Sequence, residues 1–320
     1  MSAPVYELTP DRLAQVAERS ARVAQEVSRA FVGPADVARL LLTALYARGH
    51  VLLEGVPGVA KTTLAKAFAS TLRASFKRIQ FTPDLLPSDI TGTYVLSPAD
   101  GTFRLREGPI FAHVVLGDEI NRAPAKTQSA LLEAMQETQA TIDGETRPLP
   151  KPFLVIATQN PVEQAGTYPL PEAQIDRFLL RLVIGYPNAD QERDILERFG
   201  RALPSVASVL EPETVLAIQA MVSEVHAESS VLDYVVRLCG ATRAHPHVLL
   251  GASPRASLSL LQAAKALALQ AGRGHLLPDD VKRLALPVLS HRIVLTQDAQ
   301  MEGVTGESVV RNLLEKVSVR

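Results

Sequence analysis

Apolar residues fall along this chain in two rhythms up to about residue 187 and largely in one rhythm after it. Short continuous apolar runs at 50–54, 75–81, 112–117, 153–158 and 179–184 read as buried strands, while 64–72, 126–136 and 172–177 read as helical. Strands alternating with helices predict a parallel sheet with helices on both faces. Ahead of these, Thr9-Pro10-Asp11 supplies a cap, a first-turn proline and an acid at the positive end of the dipole. Leu13, Val16, Val23, Val27 and Phe31 then share one helical face, Phe31-Val32-Gly33-Pro34 breaks the helix, and 35–47 forms a second one. Residues 1–34 are therefore a helical lead. From Tyr186-Pro187-Asn188 onward helical periodicity dominates, at 189–199, 212–225, 230–244, 254–271 and from Leu277, which separates an α/β domain (35–187) from a helical domain (188–320).

Two segments interrupt the α/β alternation. In 91–109, Val95-Leu96 and Phe103-Arg104-Leu105 flank the turn-forming Ser97-Pro98-Ala99-Asp100-Gly101. In 139–149, two short runs flank Asp143-Gly144, a strong hairpin signal. Both read as inserted hairpins, either plain surface excursions or contact surfaces.

Gly55-Val56-Pro57-Gly58-Val59-Ala60-Lys61-Thr62-Thr63 follows the first apolar run and opens a helical one, the context in which glycine-rich backbone cradles phosphate. Backbone N–H groups would hold phosphate oxygens, Lys61 would neutralise the β- and γ-phosphates, and the Thr62 hydroxyl would face Mg²⁺. Ala60 stands where such loops usually carry glycine, and its methyl narrows the φ choices. Downstream, Val114-Val115-Leu116-Gly117-Asp118-Glu119 is a buried run ending in two carboxylates. At the carboxyl end of a parallel strand, Asp118 would reach the Mg²⁺ shell and Glu119 would polarise the water that attacks the γ-phosphate. Asn160, after the next strand, offers a neutral amide to the γ-phosphate or to that water.

Composition narrows the classes. With 320 residues and a formal net charge of −1 there is no overall drive toward nucleic acid. Cys239 is the only cysteine, so neither an internal disulfide nor a cysteine-rich zinc site forms. No apolar run has bilayer length and no basic-then-apolar leader is present, so a cytoplasmic protein without membrane insertion is expected. His245, His247 and His291 lack a third ligand in the sequence and read as structural.

Three strings carry a family resemblance: the run from Asp118-Glu119-Ile120-Asn121-Arg122 to Leu131-Leu132-Glu133-Ala134-Met135, Ala157-Thr158-Gln159-Asn160-Pro161, and Pro171-Glu172-Ala173-Gln174-Ile175-Asp176-Arg177-Phe178. They resemble the MoxR family of AAA+ ATPases over about residues 32–291. The resemblance implies a P-loop core with a five-stranded parallel sheet and a C-terminal all-helical lid. It implies ATP and Mg²⁺ as cofactors, with Gly55 to Thr63 as Walker A and Asp118 and Glu119 as Walker B. Asn160 matches sensor 1, Arg177 the arginine finger inserted into a neighbour's site, and Arg255, in Gly251-Ala252-Ser253-Pro254-Arg255, sensor 2, reaching back to the γ-phosphate. Read without the family, Asp176-Arg177 is a surface pair and Ser253-Pro254 a helix cap. The resemblance further implies a homo-oligomeric, hexameric ring and a chaperone-like role in remodelling or maturing a protein client, often one with a von Willebrand factor A domain. The inserted hairpins are shared with magnesium chelatase ATPase subunits, which makes a chelatase subunit one alternative; a non-hydrolysing nucleotide switch or scaffold is the other.

Overall fold

Five strands, β1 (Val51–Glu54), β2 (Phe76–Gln80), β5 (Val114–Asp118), β8 (Leu154–Gln159) and β9 (Leu180–Val183), form an all-parallel sheet in the order β2-β5-β8-β1-β9. These are the five apolar runs of the sequence. A computed structural model describes residues 7–56, 58–160, 167–199 and 205–319 of the chain. Every residue of β1 and β5 is buried, as expected for strands covered on both faces.

The covering helices are α1 (Pro10–Ala30), α2 (Val37–Tyr46), α3 (Lys61–Thr71), α4 (Pro87–Thr91), α5 (Ala125–Glu137) and α6 (Glu172–Ile175). Thr9 caps α1 by accepting the Arg12 N–H at 3.4 Å, and Val16, Val23 and Val27 are buried on the face anticipated from their spacing. Leu41, Leu42, Leu45 and Tyr46 of α2 are also fully buried, each worth about 1.5–3 kcal/mol in apolar transfer. One hydrophobic cluster runs from these helices through β1 into the C-terminal helices, and a second packs α5 and the segment around Ile90 and Ile110 against the other face of the sheet.

Both hairpins are present: β3 (Gly92–Leu96) with β4 (Phe103–Glu107), and β6 (Gln139–Ile142) with β7 (Glu145–Pro148). Asp143 and Gly144 take φ of 49° and 87°, the left-handed pair that a tight two-residue turn needs. Tyr94 links the two inserts, its hydroxyl donating to Glu145 Oε2 at 2.6 Å while Arg147 Nη2 donates back to it at 3.0 Å.

The C-terminal region comprises α7 (Ala189–Phe199), α8 (Pro212–Glu224), α9 (Ser229–Arg243), α10 (Pro254–Gln270), α11 (Pro278–Leu289), α12 (Gln297–Met301) and α13 (Gly306–Lys316). It is helical apart from a short antiparallel ladder, β10 (Val248–Leu250) with β11 (Val294–Leu295), which helical periodicity did not reveal. No helix among the described residues is long and apolar enough to cross a membrane.

Candidate functional site

The glycine-rich loop leaves the carboxyl end of β1 and runs into α3. Gly55 is fixed by packing: a Cβ there would lie 2.4 Å from Ile184 O, just past β9. Gly58 has φ +87° with open space around its missing side chain. Ala60 also adopts a left-handed conformation (φ 57°, ψ 30°), so the chain accepts a strain of about 1–2 kcal/mol that glycine would avoid. Ala60 has no side chain able to cap α3, which leaves the first N–H groups of that helix available to an anion. Lys61 Nζ donates to Gly55 O and, at 3.3 Å, to Val56 O, placing its ammonium over the loop. Pro57, expected in the nucleotide set, lies outside the described residues.

The two strand-end carboxylates stand next to this loop. Thr62 Oγ1 donates to Asp118 Oδ2 at 3.2 Å, joining the start of α3 to the end of β5. Thr158, buried in β8, donates to Asp118 Oδ1 at 2.6 Å and accepts the Glu119 N–H at 2.9 Å. Arg78, on β2, puts Nε and Nη2 on Asp118 Oδ2 at 3.0 and 2.7 Å. Glu119 sits at φ 57°, ψ 51°, an unusual conformation for a non-glycine residue that concentrates at functional sites. Its Oε2 accepts from Gln80 Nε2 at 3.0 Å and pairs with Arg122 Nε at 3.0 Å. Asn160 is buried just beyond β8, its carbonyl 3.5 Å from Asn121 Nδ2. Lys61, Thr62, Asp118, Glu119 and Asn160 thus converge at the carboxyl ends of neighbouring strands, where parallel sheets place their ligands.

Hard oxygen donors suit a magnesium ion, and Thr62 Oγ1 with Asp118 Oδ2 provides such a pair beside a loop shaped for phosphate. A cavity of about 450 Å³ beside the end of β9 is walled by Leu40, Leu182, Ile184, Leu267 and Leu286, with Arg39, Arg181, Arg283 and Glu307 also lining it.

Arg177 and Arg255 stand elsewhere. Arg177 lies between α6 and β9, at the amino end of the sheet, and lines one cavity with Gly49, His50 and Arg255. Ser253 caps α10 by accepting the Ala256 N–H at 3.3 Å. Arg255, in the first turn of α10, is exposed and 3.9 Å from Asp176 Oδ2. Strand β1, four residues or about 13 Å long, separates this end from the loop. Among the described residues the Arg177 side chain makes no hydrogen bond or ion pair.

Several further residues shape the site with little signal in the sequence. That of Thr158 is a hydroxyl in a largely apolar strand. Arg78 and Gln80 are brought to Asp118 and Glu119 only by the β2–β5 register. Glu54 and Arg181, paired at 2.8 and 2.6 Å, tie β1 to the edge strand. His50 and His291 are tied into the fold by hydrogen bonds to the backbone. His50 accepts the Val155 N–H at Nδ1 (3.0 Å) and donates from Nε2 to Met135 O (2.9 Å), and burial pulls its pKa down to about 4. His291 donates from Nε2 to Phe178 O at 3.0 Å, and burial holds its pKa well below the usual histidine range.

Comparison with known proteins agrees with this geometry. Residues 50–180 match the ATPase family associated with various cellular activities (AAA), and residues 240–313 match the AAA lid domain. The chain is 48% identical to the uncharacterised protein YeaC of Bacillus subtilis, over 93% of this chain and 94% of that protein. It is 44% identical to the chaperone MoxR1 of Mycobacterium tuberculosis, over 99% and 88% of the two chains. A solved structure of a candidate ATPase from Cytophaga hutchinsonii superposes with a TM-score of 0.90 at 40% identity, covering 97% of each chain. Similarity of this extent over both matched domains places the chain in the MoxR family of AAA+ ATPases.

Proposed function

We propose that this chain hydrolyses ATP in a magnesium-dependent manner and spends the cycle on remodelling or maturing a protein client in the cytoplasm. The observation that carries the reading is the convergence of Thr62, Asp118, Glu119 and Thr158 beside the loop from Gly55 to Thr63. Gly58 and the first turn of α3 turn N–H groups toward the phosphates, and Lys61 swings from the Gly55 and Val56 carbonyls to the β- and γ-phosphates. Thr62 and Asp118 would hold a magnesium ion, whose charge would offset that of the phosphates. Glu119 orients and deprotonates the attacking water, and Asn160 holds that water or the γ-phosphate by a neutral amide. The cavity beside Ile184, which mixes leucines with charged side chains, seats the nucleoside.

Arg177 and Arg255 stand at the opposite end of β1 from their own loop, which supports a role for both in a neighbouring subunit's site. Each guanidinium suits the spread charge of a transferring phosphoryl group. A site completed in this way requires a ring, for which six copies is our expectation. A chaperone name attaches to the Mycobacterium tuberculosis relative, and it supports a protein client here, with von Willebrand factor A domains as the first class to test. Glu119→Gln, immobilised with ATP, is expected to retain the client when incubated with candidate proteins, while Lys61→Ala retains none. Equal retention by the two variants would remove the case for ATP-dependent client work.

A further inference from the structure

The segment Asp176 to Leu179, which carries Arg177 into β9, is gripped from the C-terminal helical region. Arg292, in the turn after α11, has a side chain only 3% exposed. Its Nε donates to Asp176 Oδ1 at 2.8 Å, and its Nη2 donates to Phe178 O at 2.8 Å and Asp176 O at 3.2 Å. Its Nη1 donates to Leu179 O at 3.2 Å and to Val288 O of α11. The preceding residue, His291, adds a second donor to Phe178 O at 3.0 Å. From the α/β side, the same segment gives its Leu179 N–H to His50 O at 2.8 Å.

One planar fork therefore occupies the backbone carbonyls on both sides of Arg177, together with the Asp176 carboxylate. That carboxylate also faces Arg255 across 3.9 Å. Lysine, a point charge with three donors, cannot take the five acceptors that the Arg292 fork holds. The Arg177 guanidinium has no such restraint among the described residues, so its aim is set by the backbone beneath it.

We propose that Arg292 is a positioning residue for Arg177, making the helical lid and the finger segment one unit, so that the lid's orientation sets how the finger enters the neighbouring subunit's site. This rests on the reading of Arg177 as a residue acting in trans. The clamp keeps Asp176 between Arg292 and Arg255, which fixes the spacing of the two arginines presented to the neighbour. Arg292 itself touches no substrate.

The test is complementation among full-length chains, read as steady-state ATP turnover. Arg177→Ala is expected to lose turnover and to regain it when mixed with Lys61→Ala, whose own finger is intact. Arg292→Lys keeps the charge and loses the fork. It is expected to keep its KM for ATP within about twofold while kcat falls about 100-fold, the cost of a reacting group misplaced by about an ångström. Mixing it with Lys61→Ala should restore turnover, whereas mixing it with Arg177→Ala should not, because both variants spoil the same surface. Asp176→Asn, a milder change at the rim of the clamp, should show the same pattern and serves if Arg292→Lys does not fold. Normal turnover in both Arg292→Lys and Asp176→Asn, or failure of Lys61→Ala to rescue either folded variant, overturns the positioning role. Full turnover in Arg177→Ala alone instead overturns the trans reading, and the positioning role falls with it.

Discussion

Thr158 Oγ1 donates to Asp118 Oδ1 at 2.6 Å, and the same oxygen accepts the backbone N–H of Glu119 at 2.9 Å. A single buried hydroxyl thus holds the Asp118 carboxylate and the Glu119 backbone of the proposed ATP site. Thr158→Val preserves shape but leaves the Glu119 N–H without its acceptor, at a cost of about 1–3 kcal/mol. We expect a lower urea midpoint and at least a tenfold loss of ATP turnover, with nucleotide affinity nearly unchanged because the loop is untouched. Wild-type turnover would show that the carboxylates are held in place without Thr158.

Ala60 departs from the usual glycine, and its φ of 57° shows that the backbone still adopts the glycine-like conformation. Ala60→Gly removes the left-handed strain and adds freedom to the unfolded chain, and the two effects oppose. The net expectation is a stabilisation of up to about 1 kcal/mol with ATP binding retained. Denaturant unfolding and nucleotide titration check this; a clear destabilisation would mean that the Ala60 methyl makes a packing contribution larger than the strain.

His50 gives the protein a pH dependence of known sign. Burial lowers its folded pKa to about 4 from an ordinary 6.5, so between these values the unfolded chain binds the extra proton. Stability contributed by this residue is full above pH 6.5 and is lost as pH falls from there through about 4. Between pH 7 and 5 the loss is about 2 kcal/mol from His50, and His291 acts in the same direction. Urea unfolding at the two pH values measures it, and His50→Gln should remove the His50 share of the slope and leave that of His291.

Much of this arrangement was legible in the chain because it is local. The strand-end motifs place Lys61, Thr62, Asp118 and Glu119 at carboxyl ends of strands, and Asp143-Gly144 announces its hairpin through turn chemistry. Arg78 and Thr158 were not legible because their meeting with Asp118 depends on the sheet order β2-β5-β8, a nonlocal register that periodicity does not encode. The β10–β11 ladder has strands of three and two residues, too short for a period of two to show. Arg292 was hidden for another reason: a charge in a helical stretch reads as solvated, and only the fold reveals that it is buried against the carbonyls around Arg177. That Arg255 lies beside Arg177 rather than beside Lys61 likewise follows from how the C-terminal helices pack.

The central claim is that this chain turns over ATP through Glu119 at a site built on Lys61, Thr62 and Asp118. Steady-state phosphate release with ATP and magnesium, measured side by side for the wild type and Glu119→Gln, tests it most directly. We expect turnover by the wild type and a loss of about 100-fold or more in Glu119→Gln, which still binds ATP, as follows when a general base is removed from an intact binding site. No phosphate release by the assembled wild type, or equal release by the two proteins, would contradict it.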